Sequence, residues 1–174
     1  MIIIGDNLKG LIEQFKICSV RLYDVFSINI ELDDIYYIQN KTDKVIIYEG
    51  SDGSKFYKED KMTDGKLELK PNSGILACSI DKFSIPLGYI GFIQTKGSLA
   101  RWFVTAHHSD GQVEPGFNGK ITLEIFNHSG NTIELKYKAK VAQLFIYKCS
   151  TNNIEYSYRG KYNDYEKPSL PKLK

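Results

Sequence analysis

The sequence has no long apolar run, little net charge and few cysteines, and each shortage argues against a class of protein. The longest apolar run near the start, Met1 to Ile4, is far below the roughly 20 residues of a membrane span or the roughly 7–15 of a signal-peptide core. Lysine and arginine number 23 against 21 aspartates and glutamates, so the net charge of +2 gives no basis for binding nucleic acid or a membrane surface. We therefore expect a cytoplasmic protein that binds neither nucleic acid nor membrane.

The three cysteines, Cys18, Cys78 and Cys149, are isolated in sequence, and the lack of a C-x-x-C pair suits reduced thiols. Zinc-dependent nucleobase deaminases need an H-x-E motif followed by P-C-x-x-C to hold the metal that ionises water. None of the three histidines begins such a set. We therefore expect no metal site built from protein side chains, and in particular no zinc.

Short runs rich in tyrosine, phenylalanine, isoleucine and valine, separated by glycine, asparagine, aspartate and serine, fill most of the chain. This composition is typical of strands and tight turns, so we predict a single mostly β domain over residues 1–174. The segment from Asp6 to Phe15 differs, because Asp6 or Asn7 can cap a helix whose apolar residues fall on one face. One short N-terminal helix is therefore expected.

Alternating apolar and polar residues predict a hairpin made of residues 27–39 and 45–48, joined by a turn at 40–44. Residues 49–65 are charged and contain glycine, which favours a solvated loop or a hairpin with mobile tips. From Leu67 onward apolar segments recur at the short, regular spacing of a β-sandwich or barrel. The basic stretch from Arg159 to Lys174 is predicted to be a flexible tail with room to close over a ligand.

Two segments carry residues suited to chemistry. In K-G-S-L-A-R, Lys96 to Arg101, small and hydroxylic residues let phosphate oxygens approach backbone N–H groups; the alternative is a glycine turn that opens a short helix. In I-T-L-E-I-F-N, Ile121 to Asn127, alternation places Glu124 on the strand face opposite the aliphatic residues. Glu124 is then either a residue facing a pocket or an ordinary solvent-facing strand residue.

Four features follow one another in the order found in a known family. They are K-G-S-L-A-R; G-Q-V-E-P-G-F-N-G at Gly111–Gly119; I-T-L-E-I-F-N; and K-V-A-Q-L-F at Lys140–Phe145 followed by Y-R-G-K-Y at Tyr158–Tyr162. From about Leu69 to Pro168 the chain resembles the dCTP deaminase family of the dUTPase-like superfamily, as a divergent member. The resemblance implies a distorted antiparallel β-barrel or jelly roll, and a homotrimer with active sites between subunits. It also implies a dCTP- or dUTP-like pyrimidine deoxynucleotide as ligand, with Mg²⁺ carried on the triphosphate.

The same resemblance implies hydrolytic deamination of dCTP to dUTP and ammonia, without zinc. Glu124 stands where the deaminases carry their catalytic glutamate, and Arg101 would hold the water or stabilise charge beside it. Phe117 would stack beneath the deoxyribose, while Lys161 and the hydroxyl of Tyr162 would contact phosphate. The full set that the resemblance places around the substrate is Lys96, Gly97, Ser98, Gln112, Val113, Glu114, Phe117, Gln143, Tyr156, Lys161 and Tyr162.

The chain departs from the family pattern at four of the positions around the substrate. Gly97, Asp110 and Tyr165 replace a serine, a small residue and a glutamine, and Glu114 stands where the superfamily usually has aspartate. With Glu114 orienting water onto the α-phosphorus, dUTP hydrolysis, alone or combined with deamination, is one alternative. A nucleotide-binding trimer without turnover, acting as a sensor or regulator, is another, and a modified cytosine nucleotide or a monophosphate is also an open substrate.

Overall fold

The computed structural model describes residues 1–172, so Leu173 and Lys174 of the predicted tail lie outside the described residues. Its strands are β1 (Ile2–Ile3), β2 (Tyr23–Asp24), β3 (Ser27–Glu31), β4 (Ile35–Gln39), β5 (Tyr57–Lys61), β6 (Lys66–Leu69), β7 (Ser73–Ser84), β8 (Tyr89–Thr95), β9 (Val104–Thr105), β10 (Gln112–Val113), β11 (Asn118–Asn127), β12 (Ile133–Lys136) and β13 (Lys140–Lys148). The α-helices are α1 (Gly5–Phe15) and α2 (Gly97–Ala100), and short 3-10 turns cover Val20–Leu22, Gly53–Lys55 and Ile154–Tyr156. The prediction of a mostly β fold with one short N-terminal helix is confirmed.

The strands pair in antiparallel fashion in three separate sheets. The first runs in the order β10-β8-β13-β3-β2 with β1 on β13, the second in the order β5-β4-β7-β11-β9, and the third pairs β12 with β6. Among the described residues these sheets do not close into one barrel, so the sandwich-like form of the predicted architecture is the one observed. In the second sheet β11 lies between β7 and β9.

One apolar core joins the inner faces of the sheets. Leu144 of β13 and Leu123 of β11 are both fully buried in it, and α1 adds Leu8 and Ile12 from one side. The helix begins at Gly5 after Ile4, so Asp6 lies in the first turn and the predicted side-chain cap is wrong. Within residues 1–172 no helix is long and apolar enough to cross a membrane.

The predicted hairpin around residues 40–44 is also wrong. β4 pairs with β5, where Tyr37 stands opposite Glu59 and donates a hydrogen bond of 2.8 Å from its hydroxyl to the Glu59 carboxylate. Val45 and Tyr48 are instead 83% and 89% exposed. The physical reason is a competition: backbone N–H groups of residues 50 and 51 donate to the carbonyl of residue 47, so this segment closes on itself, while cross-strand polar pairs hold β4 on β5.

Candidate active site

A cavity of about 470 Å³ opens between β11, the hairpin that precedes it, β5 and the C-terminal segment. Six of the side chains predicted around the substrate line it: Gln112, Val113, Glu114, Phe117, Glu124 and Tyr162. A second cavity of about 320 Å³ adjoins the first, because Tyr57, Leu76 and Glu124 line both. The site is therefore organised around the strand that carries Glu124.

Glu124 faces the cavity because of the alternation along β11. Its neighbours Leu123 and Ile125 are fully buried in the core, which directs the half-buried Glu124 to the opposite face of the strand. Burial raises the pKa of the Glu124 carboxyl above its ordinary value of 4.5, and the negative charge of Asp110 raises it further. Backbone N–H groups of residues 109 and 110 and the nearby His108 oppose part of this rise.

Two more carboxylates line the same cavity, those of Asp110 and Glu114. Burial raises the pKa of Glu114 and the charge of Asp110 adds to the rise. We call Asp110, Glu114 and Glu124 the acidic wall. Lys120 also lines the cavity, and its Nζ lies 2.5 Å from the buried carboxylate of Asp33. Its positive charge is therefore paired with Asp33 and not with the acidic wall.

The hairpin places Phe117 on the floor of the cavity. Gly116, at a φ of 84°, turns the chain so that its N–H donates to the carbonyl of Ile85 and the N–H of Ile85 donates to the carbonyl of Phe117. A side chain at position 116 would overlap Ser157, whose Oγ lies 2.1 Å from where the Cβ would stand. Phe117 is buried, and its ring centroid lies 6.1 Å from that of Tyr158.

The C-terminal segment closes one side of the cavity, and Ser169, Leu170 and Pro171 line it. Two hydrogen bonds hold it to β11: the N–H of Lys120 donates to the carbonyl of Tyr165, and the N–H of Ser169 donates to the side-chain hydroxyl of Thr122, both at 2.9 Å.

Residues of the 49–65 region also hold this segment. Glu59 of β5 bonds Lys167 at 2.9 Å, and the N–H of Gly53 donates to the carbonyl of Pro171 at 3.2 Å. A Cβ at position 53 would lie 2.4 Å from that carbonyl oxygen, so glycine is required for the approach. The region predicted to be a solvated loop or a hairpin with mobile tips therefore supplies both a cavity residue, Tyr57, and two anchors for the tail.

Five of the predicted site residues lie elsewhere: Gln143 on β13 of the first sheet, and Lys96, Gly97, Ser98 and Arg101 on α2 or at its ends. The Nζ of Lys96 donates to Asn29 Oδ1 at 2.9 Å and lies 3.5 Å from Asp24 Oδ2. Gln143 donates from its amide to the Ser27 hydroxyl at 2.8 Å. The segment Lys96–Arg101, which we call the cationic turn, also contains Gly97, Ser98 and Arg101, and none of these or Gln143 lines the 470 Å³ cavity.

Two predicted phosphate contacts lie near the tail but not both at the cavity. Tyr162 lines the cavity, whereas the Nζ of Lys161 donates to the carbonyl of Lys172 at 2.9 Å. Tyr156 is 66% exposed, and Tyr158, two residues on, lines the cavity instead. In residues 1–172 no group of three or more histidine, cysteine, aspartate or glutamate side chains is arranged to hold a metal ion.

A family model for dCTP deaminase-like proteins matches residues 5–149. The chain belongs to the dCTP deaminase-like family. Among its relatives are proteins named "dCTP deaminase, dUMP-forming" from Nanoarchaeum equitans, 29% identical over 136 residues, and from Corynebacterium glutamicum, 29% identical over 134 residues. These matches cover 78% and 76% of this chain and 64% and 71% of the relatives, so the chain spans just under two thirds of the archaeal protein.

The fold of this dCTP deaminase-like chain is also found in solved structures. The crystal structure of 2′-deoxycytidine 5′-triphosphate deaminase from Agrobacterium tumefaciens matches with a TM-score of 0.66 at 13% identity, over 83% of this chain and 47% of that one. At that identity the likeness establishes the fold alone. The family prediction made from the motif order is confirmed by the family match.

Sequence reasoning missed several residues of the dCTP deaminase-like site. Tyr57 and Leu170 line the cavity from segments that carry no family motif, and Lys120 lines it from the start of strand β11. Tyr158 carried a usable signal, because it opens the same Y-R-G-K-Y motif that led to Lys161 and Tyr162. No sequence pattern indicated Tyr57, whose position depends on the pairing of β4 with β5.

Proposed function

We propose that this protein deaminates dCTP hydrolytically, releasing ammonia, with Glu124 as the general base. The observation that carries the proposal is the half-buried Glu124 carboxylate on the wall of a cavity, with its pKa raised by burial. A general base works best when its pKa lies near the operating pH, and burial moves a glutamate in that direction. Membership of the dCTP deaminase-like family supports the same assignment.

In the proposed reaction Glu124 takes a proton from a water molecule as the water oxygen bonds to C4 of cytosine. Glu124 passes this proton to N3 of the ring, then takes the remaining proton of the new hydroxyl group and delivers it to the amino group. The bond from C4 to the amino nitrogen breaks as the carbonyl forms, and the products are a uracil nucleotide with a proton on N3 and ammonia. Phe117, buried beneath the hairpin, offers an apolar face for the deoxyribose, and the backbone near Gln112 and Val113 contacts the base. No zinc enters the proposal, because the sequence lacks the H-x-E and P-C-x-x-C ligand set.

The triphosphate is assigned to the cationic turn, with Lys96, Ser98 and Arg101, and to Lys161 and Tyr162 of the tail. Three carboxylates repel a polyanion, so the acidic wall favours the base end of the nucleotide. Because the cationic turn and the cavity occupy separate places in one chain, we propose a homotrimer in which one subunit's cationic turn completes its neighbour's cavity. Mg²⁺ arrives with the nucleotide as part of the substrate.

Arg101 fits this arrangement in a second way. Its Nη1 donates to the carbonyl of Gly97, at 3.1 Å, and the residue is exposed. In the assembly it would reach the water or the charge that develops beside Glu124. Gln143 of β13 stands opposite Asn29 of β3, the residue that accepts a hydrogen bond from Lys96, and we assign it to holding this turn in place.

A specific observation favours a second candidate, a bifunctional deaminase and diphosphatase that forms dUMP. Glu114 lies in the same cavity as Glu124, and burial raises its pKa as well, so two carboxylates are available for two water molecules. The relatives from Nanoarchaeum equitans and Corynebacterium glutamicum carry "dUMP-forming" in their names. In this candidate Glu114 orients water onto the α-phosphorus and pyrophosphate leaves.

The test is to incubate the full chain with dCTP and Mg²⁺, and separately with dUTP and Mg²⁺, while following ammonia and pyrophosphate independently. Ammonia from dCTP supports deamination; ammonia with equimolar pyrophosphate supports the bifunctional reaction. Pyrophosphate from dUTP without any ammonia from dCTP contradicts deamination and leaves a diphosphatase. Tight nucleotide binding with neither product overturns both and leaves a non-catalytic nucleotide-binding protein.

A further inference from the structure

Asp110 is the member of the acidic wall to which the proposed mechanism assigns no role. It lies in the turn between β9 and β10, where its N–H donates to the carbonyl of His107 at 3.0 Å. The next residue, Gly111, accepts a hydrogen bond of 2.6 Å from the N–H of Ile93, which itself lines the cavity. These two bonds fix the turn against β8 and set the Asp110 carboxylate at the cavity.

The Asp110 carboxylate has no partner in the described part of the chain, since neither the hydrogen bonds nor the ion pairs of residues 1–172 engage its oxygens. Lys120, the lysine of the cavity lining, is bound to Asp33. The charge of Asp110 is nevertheless felt at both Glu124 and Glu114, where it raises the pKa. Asp110 lines the same cavity as Glu124, the proposed general base, and its acceptor oxygens are available to a ligand there.

An ionised carboxylate only accepts hydrogen bonds. Cytosine presents an amino donor at its 4-position, whereas uracil presents a carbonyl oxygen at the equivalent position, and aspartate is a known acceptor for the cytosine amino group. We propose that Asp110 is a specificity-determining residue that accepts a hydrogen bond from the 4-amino group of the pyrimidine and disfavours a 4-carbonyl. This inference rests on the proposed function, because it requires the base to occupy the cavity with its 4-position near Glu124.

The consequence is a site that distinguishes substrate from product by the group that the reaction changes. Before the reaction the Asp110 carboxylate faces the 4-amino group of cytosine, which donates a hydrogen bond. After the reaction it faces the 4-carbonyl oxygen of uracil, and the lone pairs of the two oxygens repel each other. The site therefore binds the uracil nucleotide more weakly than the cytosine nucleotide, which favours release of the product. Asparagine at position 110 removes the charge at nearly the same size and offers an N–H₂ group that suits a 4-carbonyl.

The experiment measures binding of dCTP and of dUTP, each with Mg²⁺, by calorimetry in a Glu124→Gln background where dCTP is not consumed. Adding Asp110→Asn should lower the preference for dCTP over dUTP by about tenfold or more, because a hydrogen bond to a charged group is replaced by one that favours uracil. Asp64→Asn is the matched control, since Asp64 makes the same charge change at an exposed turn outside the cavity. The control should leave the preference unchanged.

A preference that falls with Asp110→Asn and not with Asp64→Asn supports the assignment. An unchanged preference, in a protein that keeps its thermal unfolding temperature and oligomeric state, overturns it. The proposed function is tested separately by ammonia release from dCTP by the protein with Glu124 intact. Ammonia release with an unchanged preference therefore rejects the role of Asp110 alone, whereas loss of both binding and ammonia release rejects both proposals.

Discussion

The acidic wall and the cationic turn are two parts of one chain with opposite chemistry. The acidic wall collects Asp110, Glu114 and Glu124 around a cavity whose lysine is already paired with Asp33. The cationic turn carries Lys96 and Arg101 at the two ends of α2, directly after β8 of the first sheet, and neither side chain lines that cavity. A pyrimidine nucleoside triphosphate has the same division, with a donor-bearing base at one end and a polyanion at the other.

In the folded chain the acidic wall and the cationic turn lie apart, and under the proposed function they are two half-sites that neighbouring subunits bring together. Each half is held by its own contacts: the cationic turn by Lys96 to Asn29, and the acidic wall by the β7–β11 pairing and the bound tail. In the proposed homotrimer the nucleotide or the neighbouring subunit supplies the charge opposite to that of each half. Two questions follow: whether the two halves act together in one site, and whether Glu124 and Glu114 of the acidic wall serve different reactions.

The largest effect is expected from Glu124→Gln. The substitution keeps the size of the side chain and removes the base, so ammonia release from dCTP should fall by about 10²- to 10⁴-fold, the usual contribution of a general base. Nucleotide binding should remain. The measurement is kcat for ammonia and the dissociation constant for dCTP on the same preparation.

Glu114→Gln is the matched variant within the acidic wall. If Glu114 orients water onto the α-phosphorus, this change should suppress pyrophosphate release and leave ammonia release within a few-fold of the original. Loss of ammonia release in both variants would show that the two carboxylates act as one unit, and an unchanged rate in Glu124→Gln would remove the general base from the mechanism.

The next effect tests the two half-sites directly. Glu124→Gln damages the acidic wall and Arg101→Gln damages the cationic turn, so each variant alone should be inactive. In mixed oligomers formed by co-expression at equal amounts, about a quarter of the intersubunit sites combine an intact wall with an intact turn, because each half is drawn independently from a different chain. Activity should therefore recover to about a quarter of the original.

Mixing Glu124→Gln with Glu124→Ala is the control, because no combination of these chains contains an intact acidic wall. Recovery in the first mixture and not in the control supports a site shared between subunits. No recovery in either mixture, from oligomers shown to contain both chains, means that each chain builds its own site and that the cationic turn acts elsewhere.

The strands that carry the family motifs were the part of the fold that local sequence patterns predicted best. Alternation along Ile121–Asn127 correctly indicated that Glu124 leaves the core, since Leu123 and Ile125 are fully buried on the other face. The mostly β class and the N-terminal helix followed from composition and periodicity. These features depend on neighbours within a few residues, which is the range that sequence patterns report.

What could not be predicted depends on partners far apart in the chain. The pairing of β4 with β5 passes over the apolar segment at Val45 to Tyr48, which has a strand-like composition but forms its own turn. That pairing brings Tyr57 to the cavity and Glu59 to Lys167, more than a hundred residues later in sequence. The sequence also could not predict that Lys96 and Glu124 lie apart in the folded chain, because the order of motifs does not say which residues share a cavity.

The smallest expected effect concerns stability within the acidic wall. Because the folded pKa of Glu124 is raised above 4.5, the folded protein holds this proton more tightly than the unfolded chain does. The free energy of unfolding is therefore fully supported below the ordinary carboxyl pKa and decreases as pH rises through the raised pKa. Glutamine at position 124 has no proton to lose, so Glu124→Gln should melt a few degrees higher than the original protein at pH 8.

The same substitution at Glu13, on the exposed side of α1, is the control for a general change of charge. The difference in Tm between Glu124→Gln and the original should shrink towards zero as pH falls to about 4, where both forms of the site are neutral. Glu13→Gln should show no such pH-dependent gain. A lower Tm for Glu124→Gln at pH 8 would mean that the cavity stabilises the ionised glutamate, and the acidic wall would then need a cation that faces it from the tail or from a neighbouring subunit.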